Sequence, residues 1–234
     1  TAGAPLYLPV HRARPGGGRA RPVAVARARK AAERLFFLGR PPNAPPPPPP
    51  APGLWQGTFP CADCPGIDVT LWLRPDGAFF LRQHYLADDG GGERYYGLGR
   101  WAWDEDEAVL RLRGGGPERV FERPAAGRLA MRVASDLPHR LERSGDLVPF
   151  TDTVTLEGEY READGTRRFR ECRSGLAWTV VRRGDFRRLV HQYGRVPREE
   201  QALLKVRGHL KPTDDGDTLV IEELVQLQPG RGCP

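Results

Sequence analysis

From Gly53 to about Arg143 the apolar residues recur with a period of two, in short runs broken by turn residues, and no helical period intervenes. In the first such run Ile67, Val69, Leu71 and Leu73 point one way. Asp68, Thr70, Trp72 and Arg74 point the other, so the run reads as a β-strand. Arg74-Pro-Asp-Gly77 follows as a turn, with proline preset early and glycine supplying a positive φ. Further strands are expected at Ala78–Leu86, Tyr95–Trp103, Val109–Arg113, Glu118–Glu122, Leu129–Val133 and Arg140–Glu142. Asp88–Glu93, Asp104–Glu107 and Gly114–Pro117 read as polar, charged and glycine-rich turns between them. Short strands about ten residues apart predict an antiparallel sandwich or barrel.

Ser144–Thr153 is polar and reads as a linker into a second β region. Strands are expected at Thr155–Arg161, Thr166–Cys172, Ala177–Arg182, Ala202–Leu210 and Thr218–Gln228, with Asp214-Asp-Gly216 as a turn. Phe186, Leu189, Val190 and Tyr193 instead fall at helical spacing. With Asp185 as N-cap and Gly194 as C-cap they predict a short amphipathic helix. Strands around one short helix suggest a small OB-type barrel, an analogy of fold that carries no function.

Four cysteines stand in a lopsided set, Cys61 and Cys64 close together and Cys172 and Cys233 far apart. An even number suits a disulfide framework in an oxidising compartment, and three pairings are open. The short pair most naturally closes on itself, leaving Cys172 to meet Cys233. A bridge across roughly 60 residues is worth about 4 kcal/mol of chain entropy. Cys61-Ala-Asp-Cys64 precedes a strand, whereas a thioredoxin-type pair sits at a helix N-terminus that lowers the thiol pKa. Three readings of this pair stay open: a structural disulfide, a redox-sensing pair, and a Cu(I) site formed by the reduced thiolates. His84 and Met131 are the candidate additional ligands, although His84 reads better as a strand-surface residue and Met131 as a core residue.

The net charge of +6 belongs to the N-terminal segment. Residues 1–50 hold nine basic residues and one acid, a charge of +8, which leaves −2 for the remainder. This argues against a specific nucleic-acid partner for the folded part. The same segment holds 12 of the 24 prolines, including Pro45–Pro50, and reads as disordered over residues 1–52 with a polyproline spacer at its end. No cysteine precedes Cys61, and Leu35-Phe-Phe-Leu38 is shorter than a signal-peptide core, so neither an anchor cysteine nor a signal peptide is expected there. No apolar run approaches the ~18 residues of a membrane span.

No catalytic constellation is expected. His84, His139, His191 and His209 lack a nucleophile at motif spacing, and G-x-S-x-G, H-E-x-x-H and phosphate-loop patterns do not occur. Trp72, Trp101, Trp103, Trp178, Phe79, Phe80, Tyr95 and Tyr96 are expected in cores. Trp72 is set apart because its phase opposes Leu71 and Leu73.

Pro60-Cys-Ala-Asp-Cys-Pro-Gly-Ile67, followed by a strand and an Asp-Gly turn, resembles the NlpE family, also called CutF. These are envelope lipoproteins associated with copper homeostasis and with surface and envelope-stress sensing. The resemblance continues through Tyr95–Trp103, Leu156–Tyr160, Phe169–Cys172, Ala177-Trp178, Val206–His209 and Cys233. It implies an all-β fold: a lipocalin-like antiparallel barrel over residues 53–143, a linker over 144–153, and an OB-like barrel with one short helix over 154–234. It also implies Cys61–Cys64 and Cys172–Cys233 disulfides, a non-enzymatic role, an envelope sensor histidine kinase as partner, copper as a possible cofactor, and an outer-membrane anchor through a lipidated cysteine. The sequence departs from that pattern in residues 1–50, which match nothing in the family and hold no cysteine. Two alternatives remain: a lipocalin-like carrier of a small apolar ligand, and a thiol-disulfide redox protein.

Overall fold

The computed structural model describes residues 47–234 except 115, 136, 164 and 198–200. The disordered reading of residues 1–52 falls, through residue 46, outside the described residues. Eight strands come first: β1 Gly53–Phe59, β2 Ile67–Leu73, β3 Ala78–Leu86, β4 Gly92–Asp104, β5 Val109–Arg113, β6 Arg119–Ala125, β7 Arg128–Met131 and β8 Arg140–Gly145. Each pairs with the next, and β8 returns antiparallel to β1, so the sheet closes as an up-and-down barrel without free edges.

Closure follows from the alternation. Trp55, Leu71, Leu73, Phe79, Leu110, Leu112, Phe121, Leu129 and Leu141 are each at most 1% exposed and fill the interior. Each such side chain contributes about 1.5–3 kcal/mol by leaving water. Gly57 marks where β1 and β8 meet: a Cβ there would stand 2.1 Å from the Arg140 carbonyl oxygen. The turn before β3 forms as the sequence requires. Gly77 takes φ +78°, its N–H donates to the Arg74 carbonyl at 3.2 Å, and the Ala78 N–H donates to Asp76 Oδ1 at 3.0 Å.

β4 begins at Gly92, inside the stretch expected to be loop. Gly92, Glu93 and Arg94 pair with Leu86, Tyr85 and His84 and extend the β3–β4 hairpin past the core. They are exposed, and a hairpin tip needs no apolar face, so the polar composition concealed the strand.

The second barrel consists of β9 Val154–Ala163, β10 Thr166–Glu171, β11 Ala177–Val180, helix α1 Phe186–Tyr193, β12 Ala202–Thr213 and β13 Gly216–Pro229. The strands close in the order β10-β11-β13-β12-β9, with β11 and β13 parallel and α1 between the third and fourth strands. This is the five-stranded OB arrangement. Leu156, Tyr160, Phe169, Leu189, Leu204, Val206, Leu219 and Ile221 form its core.

Asp185 and Gly194 take the N-cap and C-cap positions of α1 that the sequence predicts, by unusual means. Asp185 makes no side-chain cap; its Oδ2 accepts the Leu224 N–H at 2.9 Å and thereby ties the helix start to β13. Gly194 remains right-handed, at φ −61°, and is no left-handed C-cap. Leu189 is fully buried with Phe186 and Tyr193 beside it, while Val190 is 38% exposed.

Trp72, Phe80 and Leu98 explain the odd phase of Trp72. They lie on the outer face of β2, β3 and β4, yet are buried in one cluster with the core of the second barrel. Phe150, within the stretch that reads as a polar linker, is the hinge of this contact. It stacks on Phe80 with ring centroids 4.5 Å apart and meets Trp72 edge-on at 5.2 Å. Beside it Arg82 pairs with Asp152 at 3.1 Å and Arg74 with Asp217 at 3.3 Å.

Candidate functional site

The up-and-down order puts four connections at one end of the first barrel: residues 60–66, 87–91, 114–118 and 132–139. The first is the cysteine turn. Cys61 and Cys64 are bonded to each other, their Cα atoms 5.3 Å apart, and both are half-buried under an exposed Ala62-Asp63 tip. The Leu86 N–H donates to the Gly66 carbonyl at 2.9 Å and pins the turn to the end of β3. The pair stands between two strands, so no helix dipole acts on its sulfurs.

As a disulfide, this pair offers no thiolate, and its sulfurs do not fit a copper ion until they are reduced. His84 lies on the outer face of β3 opposite Asp68, in a concave patch with Arg82 and Arg94. Met131 lies on β7 opposite Phe121 and packs against the barrel core. Among the described residues no group of three or more histidine, cysteine, aspartate and glutamate side chains is placed to hold a metal ion.

Cys172 and Cys233 are bonded as well, with Cα atoms 5.3 Å apart. Two carboxylates organise this end of the second barrel. The buried Glu171 accepts the N–H groups of Arg173 and Ser174 and the Ser174 hydroxyl through Oε2, at 2.6–3.0 Å, shaping the turn beside Cys172. Glu159 on β9 accepts the Cys233 N–H at 3.0 Å and the Arg170 guanidinium at 2.8 Å, so the end of the chain is held by a bridge and a charge-assisted hydrogen bond together.

The Arg170 guanidinium, and after it the Cys233 N–H, hold the Glu159 carboxyl below its ordinary value of 4.5. A depressed carboxylate stabilises the fold above its unfolded pKa, and that contribution disappears as pH falls through the folded value. Glu159→Gln is therefore expected to flatten the acid limb of the second barrel's stability between pH 5 and pH 3. Urea melts across that range would show it; an acid limb as steep as the parent's would assign the titration elsewhere.

The aromatic residues divide. Phe79, Phe80, Trp72 and Trp178 are buried, Trp101, Trp103 and Tyr96 partly so, and Tyr95 is 52% exposed at the mouth of the first barrel. The interior below that mouth is lined with buried apolar side chains. Sequence reading missed Phe150 at the barrel contact and Arg119 at the mouth. Arg119 had a usable signal: it shares the inward phase of Phe121, where a charge is out of place.

Residues 55–134, from the third residue of β1 to just beyond β7, match the NlpE N-terminal domain family. In both halves the chain is similar to NlpE proteins. It is 29% identical over 173 residues to the lipoprotein NlpE of Escherichia coli strain K12, an alignment covering 71% of this chain and 72% of that protein. The crystal structure of the Cpx pathway activator NlpE from Escherichia coli matches 78% of this chain and 98% of its own at 26% identity, with a TM-score of 0.34. Superposition that loose carries no structural detail, and the two barrels of this chain rest on the strand pairings given above.

Proposed function

We propose that this chain is a non-enzymatic protein of the cell envelope that senses envelope stress or surface contact by binding a partner. The observation that carries this reading is the redox state. All four cysteines are paired, one bridge to each barrel, as suits an oxidising compartment outside the cytoplasm. The family supports the rest. A relative is named a lipoprotein, which favours attachment to the outer membrane. The NlpE resemblance favours the periplasmic domain of an envelope sensor histidine kinase as the partner. The Cys172–Cys233 bridge would then make partner binding depend on completed oxidative folding, because it fastens the last residues of the second barrel to β9 and β10.

Titration of the purified full chain against such a sensor domain tests this reading. Saturable binding is expected, altered by Cys172→Ser with Cys233→Ser. Failure to saturate below about 100 μM, weaker than about −5.5 kcal/mol, would defeat it. Thiol alkylation of the same preparation tests copper. All four cysteines are expected to resist modification until reductant is added. If Cys61 and Cys64 react freely and Cu(I) then protects them, direct copper binding takes precedence over the structural bridge.

A further inference from the structure

Gln83, Tyr85, Tyr95 and Arg119 occupy inward-phase positions on β3, β4 and β6, beyond Leu81 and Phe121 toward the mouth of the first barrel. With Tyr96 and Gly97 they line a cavity of about 390 Å³. An inward-facing arginine is the anomaly. Arg119 is half-buried, and its one hydrogen bond among the described residues runs from Nη2 to Gln83 Oε1 at 3.3 Å. No described carboxylate pairs with it. Glu93, on the rim, accepts the Tyr95 hydroxyl instead.

Burial pushes the Arg119 guanidinium down from its ordinary value, with the Tyr85 phenol opposing the shift, yet it remains charged at neutral pH. A partly desolvated charge without a counter-ion destabilises the fold that holds it. Such a cost persists in a protein when something outside the fold offsets it.

We propose that the mouth of the first barrel binds a small organic anion, a carboxylate with an aromatic or short aliphatic body, through Arg119. The guanidinium has N–H groups left for a two-pronged contact with a carboxylate, a geometry lysine cannot supply. Tyr85 and Tyr95 stand edge to face, ring centroids 5.3 Å apart, as a wall for the ligand's body. Gly97 keeps the wall open: a Cβ there would touch Leu81 only at van der Waals distance, 3.5 Å, so a longer side chain would extend into the cavity. The filled interior below sets the length, since a long acyl chain has no channel to enter. This reading is independent of any protein partner.

The test is calorimetric titration of the full chain with phenylacetate, octanoate, palmitate and the neutral phenylacetamide. Phenylacetate or octanoate is expected to saturate below about 1 mM, with the amide at least tenfold weaker. Arg119→Gln is expected to weaken carboxylate binding at least tenfold while raising the melting temperature of the ligand-free protein, because it removes a half-buried charge that no described carboxylate pairs. Gly97→Leu is expected to abolish binding with Arg119 still present, and it decides the matter if the arginine variant does not fold. The proposal is overturned if no carboxylate saturates, if Arg119→Gln leaves affinity unchanged, or if palmitate binds an order of magnitude more tightly than phenylacetate.

Discussion

Replacing Phe150 by alanine is expected to split one unfolding transition into two. Phe150 is 7% exposed and stands between Phe80, Trp72 and Tyr96 of the first barrel and the apolar cluster of the second. Truncating a buried phenylalanine costs about 3–5 kcal/mol, part from lost transfer energy and part from the cavity left behind. Here the loss falls on the contact between barrels, because each barrel keeps its own core: Leu71, Phe79, Leu110 and Leu141 in one, Leu204, Val206 and Leu219 in the other. The ion pairs flanking Phe150 cannot substitute for it. Arg82–Asp152 and Arg74–Asp217 are each about a quarter to a third exposed, and pairs of that kind contribute about 1 kcal/mol or less. Calorimetry of Phe150→Ala against Asp152→Ala separates the two contributions. A single transition in the phenylalanine variant, shifted no further than in the aspartate variant, would show that the barrels are coupled by something else.

That contact also shows where the sequence was legible and where it was not. Alternation identified the strands of the first barrel because each buries one face and exposes the other, so Leu71 and Leu73 could be assigned inward directly. The same rule made Trp72 anomalous but could not say why. A residue on the outer face of one barrel becomes core only when another barrel covers it, and that is a long-range fact absent from any local pattern. Phe150 was hidden for the opposite reason: one aromatic among polar neighbours has no periodicity to read. At α1 the helical stripe and the N-cap position of Asp185 were visible, but not that its carboxylate accepts the Leu224 N–H of β13 in place of a helix N–H. At the barrel mouth the clue was chemical. Arg119 violates the apolar phase of β6, and only the register of β3, β4 and β6 reveals that Gln83, Tyr85 and Tyr95 share its cavity.

The bridge between Cys172 and Cys233 is expected to dominate the stability of the second barrel. It closes a loop with a sequence separation of 61, for which the chain-entropy relation gives about 4 kcal/mol at 25 °C. Breaking it as Cys172→Ser with Cys233→Ser also frees the last five residues beyond β13. The hydrogen bonds from the Cys233 N–H to Glu159 and from the Gly230 N–H to the Gln201 carbonyl would then have to hold the chain end. The first is worth about 1.5–3 kcal/mol and the second about 0.5–1.5 kcal/mol, which cannot offset the ordering of five residues at about 1–2 kcal/mol each. The second barrel should therefore melt first, by many degrees, splitting the parent's single transition and leaving the first barrel to unfold later. The Cys61–Cys64 bridge provides an internal comparison. Its separation is 3, and the same relation assigns it roughly 2 kcal/mol, so Cys61→Ser with Cys64→Ser should disturb the fold less and act on the first barrel. Urea denaturation followed by hydrogen exchange on β12 and β13 distinguishes the two variants. Equal losses from both, or a loss from the long bridge confined to residues 229–234, would mean that the second barrel is held by its strand closure and its apolar core, with the disulfide serving only to fasten the tail.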